Sequence, residues 1–450
     1  MTLKRYLSGI VAALFVAGCF NYVYCAEIFS GSSGEDSRVL TISDGIDMVL
    51  RDSRLIKIEL ADKDISFEDT IAALSPLLPH INLNAAKTYY KYTPQMKFGG
   101  LAVPMGEREP VSWGVDIYQT LFDFGKSIYS YRASTEAFHA RIAKVKTVKR
   151  TVILEFIVTY FDLLESEKMI SVATKEVESL TSYLNDMTHL YEQGVIVKND
   201  LLSSRVKLAD ARQKLIAAHN RREVVAASLK TILTLSLREK IELRDTGMDY
   251  PPAPTMEDAW KAAQLQRPEI TFYNNQIKAS QLSEKAKVLE NLPSIYVDGG
   301  YDYTENRYMV KEANGYIQMG AKINLYDGGA NIAGMMKDRY QTRQFEEQKK
   351  KLIDDIRYEV ESGLLSLKDA SEKLSVAKEA LAQSEENVRF YRVKYNNGAA
   401  TSTDVLEAIT LQTKAETNYY SANYELKRSY VKLMYSIGND LTTIYKETER

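Results

Sequence analysis

The sequence predicts a mainly α-helical protein with a β-barrel part, built from two copies of one unit. Three observations predict this fold class. All ten prolines lie outside residues 111–250 and 294–450, so both stretches can form very long helices. Short motifs recur at fixed offsets of 204 or 214 positions. Segments in which polar and apolar residues alternate, as in strands, occur at matching places in both copies.

Composition and charge exclude several functional classes. The chain has 450 residues, a formal net charge of −2 and dispersed basic residues, which argues against a nucleic-acid partner. The four histidines share no metal-ligand spacing, and the only cysteines are Cys19 and Cys25, so neither a metal site nor a cofactor is expected. No nucleophile or phosphate-binding loop accompanies the acidic residues, so no enzyme is predicted.

The N-terminal residues have the features of an export signal. Two basic residues precede an apolar stretch, 7–17, that is too short to span a bilayer. The residues before Cys19 resemble a bacterial lipobox, which predicts removal of residues 1–18 and lipidation of Cys19. Ordinary cleavage further along the chain is the alternative, and it would remove residues 1–26. Residues 19–40 are predicted to be a linker.

Two strand pairs are predicted, over 80–122 in the first copy and 294–326 in the second. After the signal, no window has the ~18 consecutive apolar residues that a membrane helix needs. Any membrane passage must therefore use strands, and strands of about ten residues with one apolar face suit the wall of a membrane barrel. The predicted apolar positions are Trp113, Val115, Ile117, Leu121, Ile295, Val297, Tyr301, Tyr303, Ile317, Met319, Ala321, Ile323 and Leu325.

Four strands are too few to enclose a water-filled lumen, because even small closed barrels use about eight. If these strands form a membrane wall, several chains must share one barrel. A small soluble sandwich, which also alternates, is the other interpretation of the same pattern.

Most of the remaining chain is predicted to be helical and to carry a 3.5-residue apolar repeat. The stretch from Lys126 to Gly194 would be a rod about 100 Å long at 1.5 Å per residue. The repeat near its end recurs 204 residues later, which indicates helices packed as a coiled coil. The repeat positions are Val177, Leu180, Leu184, Met187 and Tyr191, then Leu381, Ser384, Val388, Tyr391 and Tyr395.

Each long helix is predicted to end in a tight turn that contains glycine. YEQGVIVKND ends at Asp200 and YNNGAATSTD ends at Asp404, and tyrosine, glycine and aspartate fall at the same relative places in both. The glycine can take a positive φ, and the aspartate with the residue before it offers an N-cap to the next helix. The repeated turn is therefore predicted to be the tip of a helical hairpin, with the strands at the opposite end.

The two copies are predicted to follow the same order of elements. Each opens with threonine and an acid three positions later, in TISD at Thr41 and TMED at Thr255. The first copy, 41–250, has short helices 41–78, strand pair 80–122, long helix 126–194, tip 194–200 and helix 200–237. The second copy, 251–450, has helices 255–292, strand pair 294–326, long helix 330–397, tip 398–404, helix 404–437 and a C-terminal tail.

This plan resembles the TolC-type family of outer-membrane efflux and secretion channels. The motifs that carry the resemblance are YNNGAATSTDVLEA at the second tip, LFDFGK and LYDGGA at the strand ends, and QRPEI at 266–270. The resemblance implies a homotrimer whose twelve strands close one barrel in outer-membrane lipid, with a helical tunnel in the periplasm. It also implies a passive exit duct of a tripartite efflux or type I secretion system, docked to a periplasmic adaptor and an inner-membrane transporter.

The resemblance further implies roles for residues near the tips. Asp404 and Glu407, three apart on one helix, match acidic positions that face the pore, and three chains would bring six carboxylates together. Tyr395 and Asp200 match a tyrosine and an aspartate that bond each other in closed channels. At Ala400 the sequence departs from members that have an arginine there, so the closed tip is expected to be weaker or fastened differently.

Adaptors of the family dock at the tip glycines, which here are Gly194 and Gly398.

Two other classes of protein explain part of the sequence. An exported coiled-coil protein anchored through lipidated Cys19 explains the heptads but not the alternating strands. A periplasmic adaptor would need a single hairpin and a lipoyl-like strand domain, whereas this chain has two hairpins.

Overall fold

The computed structural model describes residues 38–245 and 252–448. The predicted signal peptide, both cysteines and most of the predicted linker lie outside these residues. The chain divides into two compact units, one of Met1–Arg38 with Lys240–Glu242, the other of Val39–Glu239 with Leu243–Arg450. The described part of the first unit is Arg38 with Lys240–Glu242, so the described helices and the four-stranded sheet belong to the second unit.

Long helices make up most of the second unit. The two longest, α3 and α7, have 67 residues each, which is about 100 Å at 1.5 Å per residue. Within residues 38–245 and 252–448, no helix is both long and apolar enough to cross a membrane. The helices are α1 (Ile42–Asp52), α2 (Arg54–Leu74), α3 (Lys126–Glu192), α4 (Lys198–Ile232), α5 (Met256–Gln266), α6 (Pro268–Leu289), α7 (Ala330–Asn396), α8 (Ser402–Ile437) and α9 (Leu441–Thr448).

The predicted helix starts at Thr41 and Thr255 are confirmed. Each threonine hydroxyl accepts a hydrogen bond from the backbone N–H three residues later, at 3.2 Å. Each is the N-cap of a short helix, α1 or α5. Such a bond satisfies one of the N–H groups that have no partner inside the helix.

Both long helices begin at a turn that contains an aspartate and, two residues later, a glycine. The carboxylate of Asp123 accepts hydrogen bonds from the backbone N–H groups of Gly125 (3.0 Å) and Ser127 (2.9 Å). A carboxylate at this place satisfies free N–H groups and complements the positive end of the helix dipole. The motifs LFDFGK and LYDGGA are thus helix starts. In the second copy the same two bonds, at 2.9 and 2.7 Å, join Asp327 to Gly329 and Asn331.

The long helices form two hairpins that pack on each other. α3 packs against α4 and α7 against α8, while contacts between α3 and α8 join the hairpins and α6 lies against both α3 and α7. Near the tips, residues of all four hairpin helices share one apolar core. Its buried members are Leu180, Tyr183, Met187, Leu201, Leu208, Ala211, Val388, Val405, Leu406, Ala408 and Ile409.

Four strands form one antiparallel sheet at the other end of the long helices. They are β2 (His80–Lys87), β5 (Val111–Phe122), β7 (Ser294–Thr304) and β8 (Ala313–Lys322), in the spatial order β2-β5-β7-β8. Each copy contributes one adjacent pair, and the pairing of β5 with β7 joins the copies. The remaining strands are β1 (Arg38–Leu40), β3 (Gln95–Phe98), β4 (Leu101–Pro104) and β6 (Ile241–Leu243).

The structure departs from the predicted pattern in four places. The connection between β2 and β5 contains a separate two-stranded hairpin of β3 and β4, where Pro94 and a Gly-Gly pair obscured any alternation. An irregularity between Thr120 and Phe122 interrupts the register of β5. Strand β8 ends at Lys322, although the alternation continues to residue 325. Tyr191 is exposed because it lies in the last turn of α3, beyond the core at the tips.

Candidate functional site

The four-stranded sheet has one apolar face, as predicted. Cross-strand pairs such as Trp113 with Tyr303 and Val115 with Tyr301 place these side chains together. The ring of Trp113 stacks on Tyr303 with centroids 5.8 Å apart. Many side chains of this face are exposed in the chain by itself, which in a soluble protein would be unusual for so many adjacent apolar residues. The exposed members include Ile81, Leu83, Trp113, Ile117, Ile295, Tyr301, Ile317 and Met319.

The opposite face of the same sheet is polar. Asp116 on β5 accepts hydrogen bonds from the side-chain amides of Asn82 (2.7 Å) and Asn84 (3.0 Å) on β2. Asp298 and Asp302 lie on the same face of β7, because register pairs them with residues two positions either side of Asp116. One face therefore suits lipid and the other suits water.

The two outer strands leave the sheet open. In the described part of the chain, β2 and β8 each have a neighbour on one side only, and every residue of β2 is exposed. Their outer backbone N–H and C=O groups are a template for pairing with another strand.

The two tips have the backbone conformation that the glycines predict. Gly194 has φ 75° and Gly398 has φ 72°, in the left-handed region that costs other residues about 1–2 kcal/mol. The amide of Gly398 donates to the carbonyl of Tyr395 (2.9 Å), and that of Gly194 donates to Tyr191 (3.0 Å). A Cβ on either glycine would meet no atom within 4 Å, so the conformation alone requires glycine.

The predicted N-caps at the tips are wrong. At the second tip the N-cap of α8 is Thr401, and Asp404, the third residue of the helix, completes a capping box with it. At the first tip Val197 occupies the N-cap position of α4 and makes no side-chain cap bond, with Asp200 in the first turn. The aspartates were misassigned because helices α4 and α8 begin earlier than predicted.

Asp404 and Glu407 lie on the side of α8 that faces away from the apolar core. The carboxylate of Asp404 accepts bonds from the backbone N–H and the hydroxyl of Thr401, both at 2.7 Å. These bonds lower the pKa of Asp404, so the carboxylate is ionised at neutral pH. Glu407 is exposed, while the neighbouring Leu406 and Ala408 are buried. The predicted acidic pair is thus directed outward from its own chain.

Tyr395 and Asp200 are close neighbours, but the tyrosine hydroxyl has a different partner from the predicted one. It donates to the sulfur of Met187 at 3.3 Å. Burial, and after it the charge of Asp200, raises the pKa of Tyr395. Within one chain, a weak bond to a thioether therefore takes the place of the direct bond that the family resemblance implies.

A stronger connection between the hairpins lies beside this pair, at Tyr183 and Ser402. The hydroxyl of Tyr183 on α3 is 2.9 Å from the hydroxyl of Ser402 and 3.1 Å from its carbonyl, at the start of α8. Both residues are buried, and burial raises the pKa of Tyr183 to about 12. The ring of Tyr183 also packs against that of Tyr395, with centroids 6.2 Å apart. No sequence pattern links residues 219 positions apart, so this contact was not predicted.

The two-faced sheet and the paired helical hairpins are features of one class of protein, membrane channels with long helices outside the membrane. Comparison with known families makes this specific. The family model "Outer membrane efflux protein" matches residues 46–234 and 261–439, one stretch in each copy and together more than half of the chain. The chain therefore belongs to the outer membrane efflux protein family, the TolC type that its tip and strand-end motifs resemble.

Individual relatives are distant but extend over nearly the whole chain. Outer membrane protein TolC of Salmonella enteritidis is 21% identical over 443 residues, covering 91% of this chain and 85% of the relative. The Campylobacter jejuni CmeC outer membrane channel has a similar structure, with a TM-score of 0.79 at 16% identity, over 91% of this chain and 89% of that one. CusC gives a TM-score of 0.77 at 14% identity, over 92% and 96%.

Family membership defines the location and the general activity. The protein lies in the outer membrane and serves efflux, as an exit duct of the channel type. Its mainly helical fold with a smaller sheet is that of the solved outer-membrane channels. Among the described residues, no group of three or more His, Cys, Asp or Glu is placed to hold a metal ion.

Proposed function

We propose that three copies of this chain form a passive channel-tunnel, the exit duct of a tripartite efflux or type I secretion system. Three four-stranded sheets close one 12-stranded barrel in outer-membrane lipid, and twelve long helices continue it through the periplasm. The tips of the hairpins meet a periplasmic adaptor, and an inner-membrane transporter supplies the energy.

The open sheet is the observation that carries this proposal. Its faces differ as the two sides of a membrane wall do, yet its edges, β2 and β8, have no partner on their outer side among the described residues. Pairing β8 of one chain with β2 of the next satisfies both edges and keeps every apolar face outward. Rotational symmetry then repeats the contact until the ring closes.

Electron microscopy of the detergent-solubilised protein, with the particle mass measured in parallel, tests this assembly. The expected particles are threefold cylinders about 100 Å or more in length, given 1.5 Å per helical residue, with the mass of three chains. Monomers that need no detergent, or simple filaments, would contradict it and favour a membrane-anchored coiled coil.

We also propose that the tips form the gate of the duct. In a trimer, Asp404 and Glu407 of three chains form a ring of six carboxylates, which favours cations at the constriction. A bond between Asp200 and Tyr395, which the family resemblance implies, is proposed for the closed state, and the Tyr183 bond to Ser402 fastens the hairpins where Ala400 leaves no arginine. The outward position of the acidic pair and the buried bond between the hairpins support this gate.

Docking to the adaptor is proposed at the turns of Gly194 and Gly398. Both turns lie at the end of the hairpins farthest from the sheet, and both leave open space at the glycine Cα. A partner can therefore approach the backbone closely at these points.

A further inference from the structure

A second exposed apolar surface lies beyond the membrane sheet, at the end away from the long helices. It belongs to the hairpin of β3 and β4, which stands apart from the four-stranded sheet. Register places four apolar side chains on one face of this hairpin, since Met96 pairs with Val103 and Phe98 pairs with Leu101. Phe98 is 71% exposed and Leu101 is 74% exposed, so this face is largely uncovered within residues 38–245 and 252–448.

The charge of the same segment is positive. Between Asn84 and Gly106 the chain has three lysines, Lys87, Lys91 and Lys97, and no acidic residue. Two of these lysines lie over tyrosine rings, at 5.4 Å from the centroid of Tyr89 for Lys87 and at 5.3 Å from that of Tyr92 for Lys91. The three tyrosines of this segment, Tyr89, Tyr90 and Tyr92, are all exposed.

The position of the hairpin is fixed relative to the membrane strands. Backbone bonds from Thr88 to Pro110 (3.0 Å) and from Tyr90 to Arg108 (2.9 Å) continue the pairing of β2 with β5 past its end. The amide of Asn306, in the connection between β7 and β8, donates to the carbonyl of Met105 at 3.0 Å. The hairpin therefore sits at the outer rim of the membrane wall.

The first acid after the hairpin pairs with an arginine and not with a lysine of the hairpin. Glu107 pairs with Arg307 at 2.7 Å, and this pair ties the base of the hairpin to the neighbouring connection. The tip of that connection is itself apolar, with Tyr308, Met309 and Val310 exposed.

We propose that the hairpin is a docking surface for anionic, phosphate-bearing lipid headgroups of the outer leaflet. Aromatic residues at a membrane interface and lysines with long apolar stems both suit the boundary between acyl chains and headgroups. The apolar face of Met96, Phe98, Leu101 and Val103 contacts acyl chains, while Lys87 and Lys91, beside exposed tyrosine rings, meet phosphate. The inference rests on the outer-membrane placement of the strands.

Lipid retention by the full-length protein tests this inference. Wild type and the Lys87→Gln/Lys91→Gln variant are placed in nanodiscs of phosphatidylcholine with a minor fraction of bisphosphorylated lipid A. Lipid A that stays bound after mild delipidation is then counted by native mass spectrometry. Wild type is expected to retain lipid A, and each lysine removed is expected to lower the affinity about fivefold. The matched control, Lys198→Gln/Lys207→Gln on α4 at the tip end, is expected to behave as wild type.

Further measurements distinguish binding of the phosphorylated headgroup from binding of other ligands. Lipid A without phosphates, and inorganic phosphate alone, are expected to bind equally weakly to wild type and variant. Phe98→Ser/Leu101→Ser is expected to lower lipid A retention as well. Equal retention by wild type and the lysine variant would overturn the inference. So would disulfide cross-linking of Leu101→Cys chains, which would assign the face to a second copy. A threefold particle by electron microscopy in either case leaves the channel assembly standing.

Discussion

A single hydroxyl contact at the tips has the clearest energetic meaning at the residue scale. Tyr183 donates to Ser402 from a different hairpin, in a buried setting where a lost bond is expensive. Tyr395, by contrast, donates to sulfur at 3.3 Å, which is a weak acceptor. The two tyrosines touch, yet they should contribute unequally to keeping the hairpins together.

A double-mutant cycle on Tyr183→Phe and Ser402→Ala tests this difference. Tyr183→Phe is expected to weaken the closed tip by about 1 kcal/mol and to raise single-channel conductance in planar bilayers. Ser402→Ala is expected to have a smaller effect, because the carbonyl of residue 402 still accepts from Tyr183. The double variant is expected to behave like Tyr183→Phe, because that change already removes both bonds to Ser402. The parallel cycle on Tyr395→Phe and Asp200→Asn should show smaller coupling. Strictly additive effects for Tyr183 and Ser402 would contradict the fastening role.

The acidic pair on α8 gives a second prediction for single residues. Asp404→Asn with Glu407→Gln removes the charge from the proposed ring, so the reversal potential in a salt gradient is expected to shift toward no cation preference. Glu257→Gln, an exposed change on α5, is the control and should leave the potential unchanged. Unaltered cation preference in the double variant would place the selective region elsewhere in the duct.

The sequence predicted backbone requirements at the tips better than side-chain partners. Gly194 and Gly398 were predictable because a positive φ excludes most other residues. The partner of Tyr183 was not, because the contact depends on how two hairpins pack. The cap at Thr401 was missed for a local reason. Both threonine and aspartate are good N-caps, and sequence alone does not place a helix end to within two residues.

At the scale of elements, the two tips are unequal copies. The N-cap residue of α8, Thr401, and that of α4, Val197, have similar backbone angles, with φ −94° and −84° and ψ 162° and 154°. Aspartate follows three residues later in both. Only the second tip has the hydroxyl that completes a capping box.

Val197→Thr is therefore expected to complete the box at the first tip. The new hydroxyl can accept from the N–H of Asp200, which should stabilise the start of α4 by about 1 kcal/mol. Amide hydrogen exchange of the first turn of α4 should slow roughly fivefold, since 1.4 kcal/mol is tenfold. Val197→Ala serves as the control without a hydroxyl. Unchanged exchange in the threonine variant would show that α4 begins with a geometry unlike that of α8.

The larger elements were predictable because their signals are long. Freedom from proline over 140 residues or more and a sustained apolar repeat leave few alternatives to long packed helices. The hairpin of β3 and β4 was not predicted because its four-residue strands are too short for a period of two to stand out. Its partner-free apolar face became visible only when register was known.

At the scale of the whole molecule, we expect the two glycine turns to act in the proposed docking rather than in folding. Gly398→Val introduces bulk and backbone strain at a point where a Cβ meets nothing in the chain. Export by cells that carry the variant is expected to fall sharply, because the adaptor can no longer approach, while the trimer persists in detergent.

Gly398→Asn separates the two effects of that change, since asparagine tolerates positive φ. It should retain more export than the valine variant, and the matched pair at Gly194 should behave in the same order. Loss of the trimer in the valine variant would mark the turn as a folding requirement.

The duplication was predictable from matched offsets, whereas the way the copies join was not. Sequence places β5 and β7 in different halves of the chain, and only the structure shows that they pair at the centre of the sheet. That pairing leaves one strand of each copy at the outside.

The open edges of the sheet have a consequence for the chain after export and before it enters the outer membrane. A single copy released into the periplasm presents two unpaired strands, β2 and β8, and both accept any extended chain. Closure of the sheets into a ring covers both edges. If β8 of one chain pairs with β2 of the next at an angle that does not close the ring, the same contact repeats into an open-ended fibre. If the proposed trimer forms, newly exported copies must avoid wrong pairing until three meet, and we expect any need for chaperones during assembly to come from those two edges.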